Sequence, residues 1–207
     1  MPAQHPLDGE VDEILDAASE CYLRLGVSKT TAEDIARSAG ISRATLYRRC
    51  GSHEAIFLAV LTREAEAMAA DAEVRLDRAG VDEPARRILE GMMYSIGEIR
   101  NRPVHAAAFG GDAAAWAAGR AIRTEALGRI GEASVRPLVA SALADGLLSE
   151  RDLVDLVDWI VRILISYAAV PGDGGRDPDE IRVQLASWFL PAFEAMTDGA
   201  VRPSVRQ

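Results

Sequence analysis

The sequence has 207 residues, 49% apolar, 27% charged and 5% aromatic, which suits one sizeable core or a small module joined to a larger one. It is too apolar for disorder and carries no glycine or proline repeat. The net charge of −9 argues against a chain that binds polyanions over its whole surface, but the charge is uneven. Between Ile35 and His53 stand Arg37, Arg43, Arg48 and Arg49 with no acid, a local +4 that leaves −13 for the rest.

The apolar spacing is helical from one end of the chain to the other. Asp8 is expected to cap a helix whose face is Val11, Ile14, Leu15, Ala18, Tyr22, Leu23 and Leu25, closed by Gly26. Thr31 and Asp34 form a capping-box pair for a short helix through Ile35, Ala36 and Ala39, ended by Gly40. Ser42 caps a third helix with Ala44, Leu46 and Tyr47, closed by Gly51, and Ser52 caps a longer one that runs to about Arg78. Asp82 is expected to cap a helix from Pro84 to about Ile99, followed by a broken stretch from Asn101 to Gly111. A long helix is then expected from about Asp112 to Asp145, before Gly146. Ser149 with Asp152 starts a helix to about Val170, and Asp177 with Pro178 starts the last, which ends near Asp198. No segment sustains strand alternation, so the expected class is all-α.

Cys21 and Cys50 lack metal-ligand spacing, and neither a metal nor a cofactor is expected. No secretory segment is read ahead of them, so a reduced, cytoplasmic setting is the expectation. The longest apolar stretch, Trp159 to Val170, is interrupted by Arg162 and is shorter than the roughly 18 residues a membrane span needs, so no membrane partner is expected.

Two short helices joined by a glycine turn and followed by a long helix have the layout of a helix-turn-helix DNA-binding unit. The second helix opens on Ser42-Arg43-Ala44-Thr45, small and hydroxyl residues that let backbone approach a major groove. Leu46 is its inward anchor, and Tyr47, Arg48 and Arg49 follow. The alternative is an ordinary three-helix bundle, which has no need of an acid-free outer face.

At these residues the sequence resembles the TetR-type one-component transcriptional regulators. The resemblance rests on Thr31-Ala32-Glu33-Asp34-Ile35-Ala36, Ala39-Gly40-Ile41-Ser42, Thr45-Leu46-Tyr47 and Gly51-Ser52-His53-Glu54-Ala55-Ile56. It implies an N-terminal three-helix helix-turn-helix DNA-binding domain over residues 8–53. A C-terminal helical ligand-binding and dimerisation bundle follows over 54–198, and 199–207 form a loose tail. The DNA-contact residues it implies are Thr31, Ser42, Arg43, Ala44, Thr45, Tyr47, Arg48, Arg49 and His53. Thr31 and Tyr47 are read as phosphate contacts, and Arg43 as a bidentate contact to guanine. Arg49 stands where the family usually has tyrosine or histidine, Cys50 replaces a usual phenylalanine, and His53 replaces a usual lysine that holds a phosphate. Asp8, Glu10, Asp12, Glu13 and Asp16 precede the first arginine, Arg24, so no basic minor-groove arm is expected.

In the C-terminal part, the helix from Leu153 to Val170 and the last helix are apolar on more than one face and need cover on two sides. Leu156, Ile160, Ile163, Leu164, Tyr167, Leu185, Trp188 and Phe189 are the expected homodimer interface, with a place in the subunit's own core as the alternative. Met93, Tyr94, His105, Phe109, Trp116 and Arg123 are candidate contacts to a small, apolar effector. For an enzyme the sequence offers no catalytic spacing: Phe57 stands where a zinc-protease helix needs its second histidine, and there is no glycine-rich phosphate loop or nucleophile elbow. The reading is a DNA-binding regulator, not an enzyme. Its expected form is a homodimeric repressor released from a palindromic operator by the effector. The alternatives are an activator of the same fold, or a helical adaptor without sequence-specific DNA binding.

Overall fold

The computed structural model describes residues 6–109, 117–119, 125–169 and 177–197. Among the described residues the elements are all helical: α1 (Pro6–Leu25), α2 (Ala32–Ser38), α3 (Arg43–Cys50), α4 (His53–Arg78), α5 (Pro84–Asn101) and α6 (Pro103–Phe109) come first. They are followed by α7 (Glu125–Val135), a 3-10 turn (Arg136–Val139), α8 (Ala140–Ala144), α9 (Glu150–Ala169) and α10 (Pro178–Thr197). None is long and apolar enough to cross a membrane.

The helix boundaries follow from side chains that satisfy the orphan amides of each first turn. Thr31 Oγ1 accepts the Asp34 amide at 3.2 Å while the Thr31 amide donates to Asp34 Oδ2 at 3.0 Å, so the capping box forms in both directions. Ser149 and Asp152 repeat it, at 2.8 and 3.2 Å, ahead of α9. Ser42 and Ser52 cap α3 and α4 by accepting the amides of Thr45 and Ala55. Asp177 accepts the amide of Asp179 beside Pro178, the first residue of α10.

Four boundaries differ from the sequence reading. Helix α1 starts at Pro6, so Asp8 lies inside it, and Leu23 and Leu25 are exposed while Cys21 takes a place in the core. Helix α5 is capped by Glu83 and not by Asp82, because Pro84 is the first helical residue and the carboxylate just before it reaches the amides of Ala85 (2.9 Å) and Arg86 (2.7 Å). The stretch after Asn101 is helical as α6, with Pro103 at the position where a missing amide costs nothing. The long helix expected up to Asp145 is broken at Arg136–Val139, where Pro137 has no amide and its ring excludes the carbonyl of the preceding turn.

The chain divides into two compact units, residues 1–65 with 99–124, and 66–98 with 125–207. Helix α4 therefore belongs in part to each, where the sequence suggested a boundary at its first residue. In the first unit Tyr22 is wholly buried, edge-on to the rings of Phe57 at 6.0 Å and His53 at 6.3 Å. Ile14, Ala18, Cys21, Ile35, Leu46, Ile56 and Val60 complete this core. Each large apolar side chain buried there contributes about 1.5–3 kcal/mol.

The second unit is built on one apolar cluster that joins Ile88, Leu89 and Met92 of α5 to Leu153, Leu156, Val157 and Ile160 of α9 and to Leu185, Phe189 and Phe193 of α10. Trp159 stacks on Phe189 at 5.8 Å. Arginines tie the helices at the edge of this cluster. Arg87, 9% exposed, donates to Glu73 at 2.6 Å, to Asp77 at 2.5 Å and to the carbonyl of Val81 at 2.9 Å. Arg136 is shared between Glu132 and Glu150, and Arg182 reaches Glu90. A guanidinium gripped by two carboxylates holds geometry better than a lone surface pair.

Helices α7 and α9 cross closely at Gly131, where an added Cβ would lie 2.8 Å from Val157 Cγ1. Val157 is buried and β-branched, so it has little rotamer freedom with which to yield. Gly128, on the same helix, has open space at that point. Gly128→Ala is expected to stabilise the protein by about 0.5–1 kcal/mol through helix propensity. Gly131→Ala is expected to destabilise it, because overpacking of roughly 1–3 kcal/mol outweighs the same gain. Chemical denaturation of the two variants reads the opposite signs directly.

Candidate nucleic-acid interface

Helix α2, its turn and α3 form a rigid unit because backbone and side chains close every step between them. Gly40, at φ +66°, donates to the carbonyl of Arg37 (3.2 Å), and Ile41 donates to that of Ala36 (2.9 Å). This double closure needs a left-handed residue, which glycine adopts without strain. Leu46 is fully buried and anchors α3.

With Leu46 inward, the helical repeat fixes what faces out: Arg43, Ala44, Tyr47 and Arg48 are exposed, at spacings that share one side of α3. Thr45, Arg49 and Cys50 are half-buried on the other side. The Arg43 guanidinium lies over the Tyr47 ring, 5.9 Å from its centre, an arrangement that keeps the long side chain extended and ordered. A two-turn helix with small Ala44 beside this pair fits a major groove, and a planar guanidinium can make two hydrogen bonds to a guanine edge.

The residues expected to meet DNA are thus divided. The hydroxyl proton of Thr31 is directed at Asp34 Oδ2, 2.5 Å away, so a phosphate, which only accepts, can take it only by displacing that carboxylate. Ser42 and Thr45 share one hydrogen bond of 3.0 Å between their hydroxyls, which leaves one proton of the two for a partner outside the chain. His53 departs from expectation. Its ring packs edge-on to Tyr22, and its Nε2 is buried without a hydrogen-bond partner among the described residues, so this nitrogen faces the core and not a phosphate. A lysine at the position would have reached out; an imidazole is short and flat enough to pack.

Acids outside the basic island, one of them distant in sequence, also change it. Arg37 pairs with Glu33 at 3.2 Å and Asp34 at 3.5 Å, and Arg49 pairs with Glu10 of α1 at 2.5 Å. Among the described residues Arg43 and Arg48 are the island's arginines without an acidic partner, and both lie on the outer face. Cys50 is half-buried, and burial raises its thiol pKa, so it stays protonated at neutral pH.

Three comparisons bear on this arrangement. The family pattern described as "Bacterial regulatory proteins, tetR family" matches residues 14–60, the stretch that holds α2 and α3. A helix-turn-helix transcriptional regulator of Mycobacterium tuberculosis is 31% identical over 186 residues, 87% of this chain and 83% of that protein. The chain belongs to the TetR family. A second relative in M. tuberculosis, the helix-turn-helix transcriptional regulator AlkX, is 29% identical over 185 residues, 88% of this chain and 84% of that one. The fold is shared with the TetR-family repressor AlkX from Dietzia sp., implicated in biodegradation of n-alkanes, at a TM-score of 0.62 and 22% identity over 89% of this chain and 97% of that one. As a TetR-family regulator, the chain is a DNA-binding protein of transcription control and not a catalyst.

The other residues singled out from the sequence have definite places. His105 is 4% exposed, stacks on Phe109 at 6.2 Å and has no hydrogen-bond partner for Nδ1 among the described residues. Burial, and then the nearby Arg102 charge, lower its pKa to about 4, so it is neutral at pH 7. In the second unit Met93 lies in the apolar cluster, and Tyr94 sits beneath the Arg75 guanidinium at 5.8 Å. Trp116 and Arg123 lie outside the described residues.

Of the expected interface residues, Leu156, Ile160, Leu185 and Phe189 are covered within the single subunit and hold its own core. Ile163, Leu164 and Tyr167 are half-buried against that core, while Trp188 is 64% exposed. An apolar side chain already covered has little area left to add to an interface.

The Thr31 hydrogen bonds hold the Asp34 carboxyl below its ordinary value, which makes the α2 cap pH-dependent. A depressed carboxylate contributes stability that is complete above its unfolded value of about 3.9 and disappears as pH falls through the lower folded one. Asp34→Ala is expected to lower stability at neutral pH and to converge on the parent protein as pH drops through that window. Urea titrations at a series of pH values check it.

Proposed function

We propose that the protein is a homodimeric repressor that grips two half-sites of a palindromic operator with paired α3 helices and is released by a small apolar effector. The observation that carries the DNA reading is the outer face of α3, with Arg43, Ala44, Tyr47 and Arg48 exposed on a helix anchored by Leu46. Arg43 is the base-reading residue, and Arg48 and Tyr47 hold backbone phosphates. Arg43→Ala should weaken operator binding by about 1–3 kcal/mol and relax one base position, while Arg48→Ala should weaken all sequences alike and reduce the salt dependence. Selection of bound duplexes from a random pool, followed by mobility-shift titrations, tests both. An identical base preference after loss of Arg43 overturns the assignment.

For the dimer, the exposed stripes of the last two long helices differ in chemistry. On α9 the stripe holds Arg151, Asp155, Asp158 and Arg162, ion-paired along the helix, with Val154 exposed beside them. On α10 it holds Glu180, Val183, Ser187, Trp188, Pro191, Ala192 and Glu194, with Val183 69% and Trp188 64% exposed. Two large apolar side chains left exposed, Val183 and the tryptophan Trp188, favour α10 as the centre of a two-fold contact. Trp188→Asp is expected to convert dimers to monomers in analytical ultracentrifugation and, with them, to abolish tight binding to a two-half-site duplex. Dimers that persist at micromolar concentration sink this placement.

The effector is read as apolar because the two AlkX relatives include one implicated in n-alkane biodegradation. His105, neutral and buried, and Phe109 stacked on it are its contacts within the first unit. Release follows by linkage: an effector that binds the free protein more tightly than the DNA-bound protein shifts the population off DNA by that ratio.

A further inference from the structure

We infer that Glu10 is a built-in counter-ion that masks Arg49 from DNA phosphates and so lowers the protein's sequence-independent affinity for DNA. The inference rests on the DNA-binding reading of α3 and concerns one contact beside that face. Arg49 follows Arg48 directly, yet it lies on the half-buried side of α3, and its Nη2 is 2.5 Å from Glu10 Oε2 on α1. Its side chain is 27% exposed, against 70% for Arg37, which is paired only within its own helix region. Glu10 Oε2 is buried and makes no hydrogen bond, so the contact is a charge pair whose angles are poor. Such a pair neutralises the arginine without binding it tightly.

The electrostatic consequence is specific. Affinity for DNA without sequence preference comes from the net positive charge brought to the phosphates, each neutralised phosphate adding about 0.9 to the slope of log affinity against log salt. A guanidinium already paired with a carboxylate brings no net charge. Glu10 therefore subtracts one phosphate contact from every DNA complex, while the base-reading Arg43 is untouched. In an acidic chain whose island keeps two arginines without acidic partners among the described residues, this leaves binding dependent on bases and on two-site attachment.

The test is a salt series of binding isotherms with a short mixed-sequence duplex, using the full-length protein. Binding by the parent protein is itself the check on the DNA-binding reading, and total absence of binding at low salt overturns that reading rather than the role of Glu10. Glu10→Gln is expected to raise affinity about three- to tenfold near physiological salt and to steepen the slope by about 0.9. Arg49→Ala, which leaves the Glu10 carboxylate bare, is expected to weaken binding, and Glu10→Gln in the Arg49→Ala background to return it to about the parent's affinity without the steeper slope, which assigns the gain above the parent to the freed Arg49. Glu13→Gln, an equal charge change at an exposed position of α1, supplies the long-range comparison. Circular dichroism melts establish that each variant is folded, and Glu10→Ala provides a second route to the same unmasking. Weaker binding by Glu10→Gln, an unchanged slope, or a gain equal to that of Glu13→Gln overturns the inference.

Discussion

A helix of two turns is not stable by itself in water, where roughly 12–15 residues are needed even for favourable sequences. Helix α3 has eight, with Arg43, Ala44, Tyr47 and Arg48 turned outward, so it exists because Leu46 is buried beneath it and because Ser42 and Gly51 close its ends. Everything the first unit offers to DNA depends on that anchor. The Gly40 turn fixes the angle at which α3 leaves α2, Tyr22 and Phe57 fill the space below, and the outer face is then whatever the helical repeat leaves over.

Charge follows the same logic of leftover valence. The basic island has four arginines in sequence, but in space Glu33, Asp34 and Glu10 come to two of them. What remains is a small positive face on an acidic body, suited to a protein that must find one site among many without adhering to all of them. Polar side chains at this interface have double duties. Thr31 and Ser42 stabilise the helices on which they stand, and any contact to DNA competes with that work.

The second unit uses arginine differently. Arg87 of α5 holds two carboxylates of α4, Arg136 bridges Glu132 of α7 and Glu150 of α9, and Arg182 of α10 reaches Glu90 of α5, so the framework that carries α9 and α10 is tied at its rim as well as packed at its centre. The outer faces of those helices are thereby left free to differ, one dominated by self-paired charges, the other carrying the exposed Val183 and Trp188.

Much was legible in the sequence because the signals are local. Cap residues at Thr31, Ser42, Ser52, Ser149 and Asp177, glycines after the helices, and apolar positions three and four apart act within one or two turns, and the boundaries they imply are those observed. The errors have local causes too: Glu83 out-competes Asp82 by standing next to Pro84, and Pro137 breaks a helix that periodicity alone would continue. Tertiary structure decided what periodicity cannot express, namely which partner an exposed-looking residue finds. Glu10 is 39 positions from Arg49, and nothing in their spacing pairs them. His53 turns to Tyr22 instead of outward, and Leu156, Ile160, Leu185 and Phe189 are covered by their own subunit, because the packing of helices distant in sequence sets which apolar faces are already covered. The sequence by itself determined the helices and the chemistry carried on each face; only the fold determined which of those charges and faces remain available, since availability is what is left after long-range contacts are made.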